Sequence, residues 1–415
     1  MKNRVFQQLF FLTIVIAICL ATVIAIWLQK GTSVVKVVAP DGPYRVGVRI
    51  EHVAYQDRTI PVMFWYPARV QTGEAPYSYP TKVQGSAVFE AERDRTEAPY
   101  PLILFSHGFS TCGFQSVFFT ENLASHGYVV AAPDYKDAMV CKIEGEPTHR
   151  FSEFFWYLLK SGLSVKDGAY AIYEETFKEE CAGDLSYRAI EAGKVLDQAI
   201  EWNEDQSFFL NGMIDPEQVG ATGHSLGGYT SLMIGGMPFL CNPEKPPEDC
   251  DPDLNLFDSS PCCIPFIRKM EEPLQLQDPR VKAILPLGTP VIFPDIEAGA
   301  AELDIPIMVI TGGSKRFEVP WEPIYTFFEN APTPKYLVRL KKTDHATILD
   351  GLKALHNPMV RLLLAGYRFH YEEKAQAYKD YSVAFFDLYL KGKRGEASIL
   401  EEPSNRFVEL WSETK

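Results

Sequence analysis

The chain has 415 residues, of which 46% are hydrophobic and 23% are charged, a balance that is typical of globular proteins and excludes pervasive disorder. It contains 54 Asp and Glu against 40 Lys and Arg, so its formal net charge at pH 7 is -14. Nucleic-acid binding normally needs a basic face that neutralises phosphates, and the sequence contains no basic cluster. The composition therefore predicts an acidic folded protein that does not bind nucleic acid and would need an apolar segment to associate with a membrane.

The N-terminal region contains an apolar segment of the required length. Residues 9–28 are uncharged, and as a helix they would span about 30 Å, the thickness of a bilayer hydrocarbon core. Lys2 and Arg4 precede the segment, and Lys30 follows it. This pattern predicts a transmembrane anchor with a cytoplasmic N-terminus.

The predicted order along the chain is a cytoplasmic tail at residues 1–8, the anchor at 9–28, a linker at 29–43 and a single catalytic domain at 44–415. We expect a single-pass membrane protein whose domain lies on the extracytoplasmic side. Two alternatives remain open. The first is a cleaved signal peptide, which would give a secreted or periplasmic protein, although no small-residue cleavage site follows the segment. The second is a buried core helix.

Four cysteines share a short proline-rich window, which suggests a loop held by disulfides. Their spacing lacks the paired Cys-x-x-Cys and nearby histidines of a zinc site. Unpaired buried thiols are the alternative, and the sequence does not determine the connectivity. The four are Cys241, Cys250, Cys262 and Cys263.

Short apolar runs alternate with helical patterns through most of the catalytic domain. This alternation predicts an α/β fold with a mostly parallel central sheet and helices on both faces. Two antiparallel strands are expected to precede the parallel ones. Two stretches interrupt the alternation, at about residues 136–186 and 238–279, and are interpreted as inserted cap segments. The predicted strands are 44–55, 60–66, 102–105, 128–132, 219–223, 281–287, 306–310 and 336–340. The predicted helices are 114–125, 187–203, 321–330 and 371–391.

The strongest chemical motif is Gly223-His224-Ser225-Leu226-Gly227, a G-x-S-x-G sequence between an apolar strand and a helix. In this context the motif forms a tight turn that presents the serine hydroxyl at the carboxyl edge of the sheet. Ser225 is therefore the candidate nucleophile. An ordinary glycine-rich turn is the alternative, and His224 is expected to have a packing role.

A serine hydroxyl needs a base that removes its proton. The order nucleophile, acid, base places this base near the C-terminus. His345 lies in the loop after the last predicted parallel strand, so it is the candidate general base. The alternative is a solvated loop histidine.

Two backbone N–H groups are expected to stabilise the oxyanion. One belongs to Leu226, the residue after the nucleophile. The other is expected from Phe109, because the Ser-His-Gly-Phe sequence follows the first predicted parallel strand. Phe109 would also line the acyl pocket, and His107 is expected to brace this loop.

Residues 100–350 resemble an α/β-hydrolase of the platelet-activating-factor acetylhydrolase and dienelactone-hydrolase-like group. The resemblance implies hydrolysis of carboxylic esters without a metal or organic cofactor. Dienelactone hydrolases use a cysteine nucleophile, so Ser225 argues against their activity here. The matching stretches are LILFSHGF, LASHGYVVAAPDY, IDPEQVGATGHSLGGYTSL, DPRVKAILPL, PIMVITGG and TDHA.

The acid that orients His345 is the least determined element. Relatives carry an Asp in the loop where this chain has Lys315 or Arg316, which leaves Glu318 of the same loop as the first candidate. Asp295, after the preceding strand, is the alternative, and a site without a dedicated acid also remains open.

The sequence thus predicts a membrane-anchored serine hydrolase that forms an acyl-enzyme on Ser225 and acts on a small-molecule ester. The aromatic residues at 151–157 favour a lipid-like or other apolar acyl ester. A peptidase or amidase on the same fold is one alternative. The other is a non-catalytic binding protein that retains a hydrolase fold.

Overall fold

A computed structural model of the protein describes residues 35–80, 83–146, 186–238, 276–289, 296–313, 321–343, 345, 347–350, 371–395 and 397–414. No helix in these ranges is long and apolar enough to cross a membrane. The predicted anchor at 9–28, the aromatic residues at 151–157 and the cysteine window at 241–263 all lie outside the described residues, so these expectations remain predictions.

The described elements follow the predicted alternation of strands and helices. The strands are β1 Val35–Lys36, β2 Arg45–Tyr55, β3 Arg58–Arg69, β4 Val83–Gln84, β5 Val88–Phe89, β6 Glu92–Arg93, β7 Tyr100–Ser106, β8 Val129–Pro133, β9 Ile214–His224, β10 Val281–Leu287, β11 Ile307–Gly313, β12 Lys335–Lys341 and β13 Val408–Glu413. The α-helices are α1 Val117–Ser125, α2 Ser186–Glu204, α3 Leu226–Ile234, α4 Ile296–Ala301, α5 Trp321–Asn330 and α6 Tyr371–Leu390. A short 3₁₀ helix covers Ala397–Leu400.

One large sheet organises the domain, with the strand order β13-β12-β11-β10-β9-β7-β8-β3-β2-β5 and β6 paired to β3. The six strands from β12 to β8 in this order are parallel to their neighbours. Strands β13 and β3 pair with the two ends of this parallel block in the antiparallel sense. The prediction of a mostly parallel sheet is therefore confirmed, together with the antiparallel pair β2 and β3.

The two faces of the sheet bury separate clusters of apolar side chains. Along β7, Leu102 and Leu104 belong to one cluster and Ile103 and Phe105 to the other, as the two-residue period of a strand requires. Helices α2, α3 and α5 cover the first face, and α1 and α6 cover the second. All residues of β7 and β8 are buried, which explains their continuous apolar sequence.

The chain changes direction within the sheet beside β7. It runs from β7 through α1 to β8 on one side, and then through α2 to β9 on the other side of β7. Ser106 at the end of β7 is in register with Gly223 near the end of β9. The loops after these two strands therefore meet at the carboxyl edge, at the crevice where open α/β sheets bind their ligands.

The loops after β7 and β8 are fastened to each other. A disulfide joins Cys112 to Cys141. The Ser110 carbonyl accepts hydrogen bonds from the N–H groups of Met139 at 3.1 Å and Val140 at 2.9 Å. Residues 136–146, the first part of the predicted insertion at 136–186, thus belong to the carboxyl edge of the sheet. The disulfide involves none of the four cysteines that the sequence pattern singled out for a loop held by disulfides.

The end of the predicted linker at 29–43 is also bound to the domain. The Lys379 ammonium of α6 donates to the Ala39 carbonyl at 3.0 Å and lies 2.8 Å from the Asp41 carboxylate. The Gly42 N–H donates to the Ser125 hydroxyl at the end of α1. Residues 35–43 therefore form a docked extension of the domain.

Candidate active site

Ser225 lies in a sharp turn between β9 and α3. Its φ of 56° and ψ of -119° place it in a region that side-chain-bearing residues rarely adopt. The turn also approaches β7 closely. A Cβ on Gly227 would lie 1.9 Å from the Ser106 carbonyl oxygen, and one on Gly223 would lie 2.6 Å from the same atom. Both glycines of the motif are therefore required by the backbone of the neighbouring strand.

His345 lies in the loop after β12, and its Nε2 is 2.9 Å from the Ser225 hydroxyl oxygen. Two side chains fix the backbone of this loop. His224 Nε2 donates to the His345 carbonyl at 2.8 Å, and Lys374 of α6 donates to the Lys342 carbonyl. The structure thus places the two predicted residues, Ser225 and His345, within hydrogen-bond distance.

Burial controls the charge state of both histidines. It lowers the pKa of His345 to about 4, and the Gly288 backbone opposes this shift only in part. Burial and the adjacent His345 ring also lower the pKa of His224 well below its usual value. His224 is therefore neutral with its proton on Nε2, which agrees with the predicted packing role rather than proton transfer.

The other ring nitrogen of His345 is the place for an orienting acid. Nδ1 is buried, and no side chain within the described part of the chain forms a hydrogen bond with it. It faces the end of β10, where a Cβ on Gly288 would lie 3.4 Å from it. Glu318 and Asp295 both lie outside the described residues, so their assignment stays a prediction. Asp304 precedes β11 and accepts from Gln277, away from this nitrogen.

The loop after β7 lies against the nucleophile turn. A Cβ on Gly108 would be 3.4 Å from the Ser225 Cβ. The Gly108 carbonyl accepts hydrogen bonds from His107 Nδ1 at 2.7 Å and from the Thr111 hydroxyl at 2.7 Å. Because C=O and N–H point in opposite directions across a trans peptide, the Phe109 N–H points away from these donors. This orientation supports the predicted oxyanion role of Phe109.

The second predicted oxyanion donor is at the start of a helix. Leu226 is the first residue of α3, so its N–H has no acceptor within the helix. Sequence reasoning missed Gln115, whose side-chain oxygen accepts from the Gly108 N–H at 2.8 Å. A glutamine seven positions beyond the glycine carries no recognised sequence signal. The described residues contain no group of three or more His, Cys, Asp or Glu that could hold a metal ion.

The sheet order, with the serine turn after β9 and the histidine loop after β12, is that of an α/β-hydrolase fold. Residues 77–237 match the family model of platelet-activating factor acetylhydrolase, isoform II. The resemblance predicted from the sequence motifs is thereby confirmed.

Individual proteins agree with this classification. A platelet-activating factor acetylhydrolase from Cavia porcellus is 32% identical over 145 residues, which cover 33% of this chain and 32% of that relative. The one from Bos taurus is 28% identical over 147 residues, with the same shares of both chains. The match thus spans about a third of the length of these curated relatives. A ferulic acid esterase from Streptomyces cinnamoneus shares the fold over 92% of this chain and 99% of its own, with a TM-score of 0.58 and 18% identity.

The first prediction concerns the close approach at the elbow. Gly227→Ala places a methyl group 1.9 Å from the Ser106 carbonyl oxygen, so the turn must open. We expect the variant to lose labelling of Ser225 by a fluorophosphonate and to melt at a lower temperature. Gly395→Ala is the control, because a Cβ there meets nothing within 4 Å. Wild-type labelling of Gly227→Ala would contradict the described turn.

The second prediction concerns the acid that contacts His345 Nδ1. A carboxylate there stabilises the protonated imidazole and raises its pKa, whereas burial alone holds this pKa at about 4. Removing the true acid should lower kcat by up to about four orders of magnitude. It should also move the acid limb of the kcat/KM profile towards lower pH.

The test compares Glu318→Gln with Asp295→Asn on a soluble ester across pH 4 to 9, roughly the range in which the imidazole titrates. We expect both effects in Glu318→Gln. If they occur in Asp295→Asn instead, the acid follows β10. If neither variant changes kcat more than a few-fold, the site has no dedicated acid.

Proposed function

We propose that the protein is a serine hydrolase that cleaves carboxylic esters through an acyl-enzyme on Ser225. The observation that carries this proposal is the 2.9 Å approach of His345 Nε2 to the Ser225 hydroxyl, at the end of β9 in a backbone turn with positive φ. A buried neutral imidazole in hydrogen-bond contact with an otherwise weak nucleophile is the arrangement that activates serine.

Each group has one role in the proposed reaction. The Ser225 oxygen attacks the ester carbonyl carbon, and its proton moves to His345 Nε2. The N–H groups of Phe109 and Leu226 stabilise the negative charge on the former carbonyl oxygen. His345 then protonates the leaving alcohol, which departs as the acyl-enzyme forms. Water then attacks the carbonyl carbon of the acyl-enzyme and gives a proton to His345. The Ser225 oxygen leaves, takes that proton back and releases the carboxylic acid.

The proposed substrates are small apolar acyl esters or lipid-like esters. The acetylhydrolase and esterase names of the similar proteins support an ester as the scissile group. Phe109 is partly exposed and follows Gly108, which lies against the Ser225 turn, so its side chain is the proposed apolar wall near the acyl group.

The proposed location is the extracytoplasmic side of a membrane, with residues 9–28 as the anchor. The uncharged segment and its basic flank support this location. The Cys112–Cys141 disulfide supports it independently, because disulfides persist mainly in oxidising compartments.

The third prediction tests the nucleophile. Ser225→Ala should eliminate fluorophosphonate labelling and hydrolysis of p-nitrophenyl acetate, because the attacking oxygen is removed while the fold is kept. Ser207→Ala, at an exposed serine, is the matched control and should behave as wild type.

Three outcomes would contradict the proposal. Labelling of Ser225→Ala at another serine would move the nucleophile elsewhere. Faster turnover of peptide amides than of the matched esters by the wild type would favour a peptidase or amidase. A folded wild type that is neither labelled nor active would favour a non-catalytic binding protein.

The fourth prediction tests the anchor. The mature protein should retain residues 9–28 and stay in the membrane fraction at high salt, because a spanning helix is not held by charge. N-terminal sequencing of the purified membrane fraction is the measurement. A mature N-terminus near residue 30 would identify a cleaved signal peptide, and release by salt alone would exclude a spanning helix.

A further inference from the structure

A fully buried ion pair lies beneath the loop that carries Phe109. Arg188 of α2 and Asp137 of the loop after β8 both have 0% exposed side chains and form a close contact. Arg188 Nη1 donates to the His107 carbonyl at 2.7 Å, and Nη2 lies 3.5 Å from the Gly108 carbonyl. Asp137 accepts from the Ser110 N–H at 3.4 Å. The pair therefore contacts the loop on both sides of the Gly108–Phe109 peptide.

We propose that Arg188 is a positioning residue that aims the Phe109 N–H at the oxyanion, an inference that rests on the proposed ester hydrolysis. The guanidinium presents its N–H groups in a rigid planar fork, so it can hold a carbonyl and a carboxylate in one fixed relation. The Gly108 carbonyl belongs to the same planar peptide as the Phe109 N–H. Contacts that fix the His107 and Gly108 carbonyls therefore also fix the plane of the Gly108–Phe109 peptide. The Phe109 N–H is then held opposite to the contacts of the Gly108 carbonyl before any substrate binds, in a peptide whose Gly108 lies against Ser225.

The energetics of the pair favour this role over a purely stabilising one. Burying two charges has a desolvation penalty that their attraction often fails to exceed, and apolar side chains of similar volume frequently stabilise such sites equally well. Arg188 Nε has no hydrogen-bond partner in the described ranges, which adds to the penalty. Burial opposes ionisation of Asp137, yet the adjacent Arg188 keeps the pKa of this carboxyl below its usual value. The pair thus stays charged, and what it provides is a fixed direction for the loop.

The neighbouring aromatic ring restricts the guanidinium further. Its central carbon lies 4.7 Å from the centre of the Tyr135 ring. The Tyr135 N–H donates to His107 Nε2 at 3.1 Å, which leaves His107 Nδ1 to donate to the Gly108 carbonyl. Arg188 and His107 therefore both contact the Gly108 carbonyl, and Tyr135 contacts both of these side chains.

The test replaces the pair without leaving a buried charge. Arg188→Met combined with Asp137→Asn removes both charges with little change in side-chain volume, and Arg188→Lys keeps the charge but not the planar fork. Lys194→Met is the control, because Lys194 lies on the same helix with a side chain that is 48% exposed. All full-length proteins are compared with p-nitrophenyl acetate, and rates are normalised to the sites that a fluorophosphonate titrates.

We expect the double variant to lose about 10- to 100-fold in kcat, somewhat less than the roughly 100- to 1,000-fold that removal of an oxyanion donor causes. The pH profile should change little, because His345 is not altered, and KM should change less than kcat, because the donor acts on charge that develops in the transition state. Arg188→Lys should be intermediate, and Lys194→Met should match the wild type.

A transition-state analogue separates positioning from a merely structural role. The Ser225 oxygen adds to the carbonyl of an alkyl trifluoromethyl ketone, its proton moves to His345, and the ketone oxygen becomes the oxyanion. The inhibition constant for this ketone should rise by the same factor as kcat/KM falls. If kcat and the inhibition constant both stay within about threefold of wild type in the double variant and in Arg188→Lys, Arg188 does not position the oxyanion hole. That result leaves the proposed function intact, whereas a wild type without ester hydrolysis overturns both.

Discussion

The contact between the Ser106 carbonyl at the end of β7 and the two glycines of the nucleophile turn determines the rest of the candidate site. Gly223 and Gly227 allow the turn to lie on the neighbouring strand without a side chain between them. This contact places Ser225 beside Gly108 of the loop after β7. The nucleophile and the predicted oxyanion donor therefore come from adjacent strands, at the point where the strand order of the sheet reverses.

Side chains from the body of the fold hold the loops of the site by their backbone carbonyls. His224 and Lys374 donate to carbonyls of the His345 loop, and Arg188 donates to a carbonyl of the Phe109 loop. Each of these three side chains belongs to a strand or helix that is packed in the sheet layers. The loops can thus have irregular backbone conformations at the sheet edge while their reactive groups keep fixed directions, which is what preorganised catalysis needs.

Much of the fold could be predicted because its strands are short apolar runs buried on both faces. The bounds of β10 and α5 agree with the sequence pattern, and most other elements differ by a few residues. Strand β13 was missed because Val408 and Leu410 form too short an alternation to stand out from a turn-rich C-terminus. The two-residue strands β4, β5 and β6 form only through their pairing partners and carry no pattern of their own.

The predictable part of the site was the part with local sequence signals. Ser225 is identified by its glycines, and His345 by its place after the last parallel strand. The buried pair of Arg188 and Asp137 has no such signal, because its two members are 51 positions apart and meet only after α2 packs beneath the loop. A single charged residue in a sequence is usually exposed to solvent, so the contact between Arg188 and Asp137 becomes visible only in the folded structure.

The disulfide connects the geometry of the site to the environment of the protein. Cys112 lies after Phe109 in the loop after β7, and Cys141 lies after Asp137 in the loop after β8. The disulfide therefore joins the same two loops that the buried ion pair contacts. A covalent link reduces the conformations of the unfolded chain and limits separation of the loops in the folded one. The ion pair and the disulfide are therefore complementary constraints on one segment: the first sets the direction of the backbone, and the second limits how far the loop can move. Disulfides persist mainly in oxidising compartments, so the second constraint would be weakened in a reducing one.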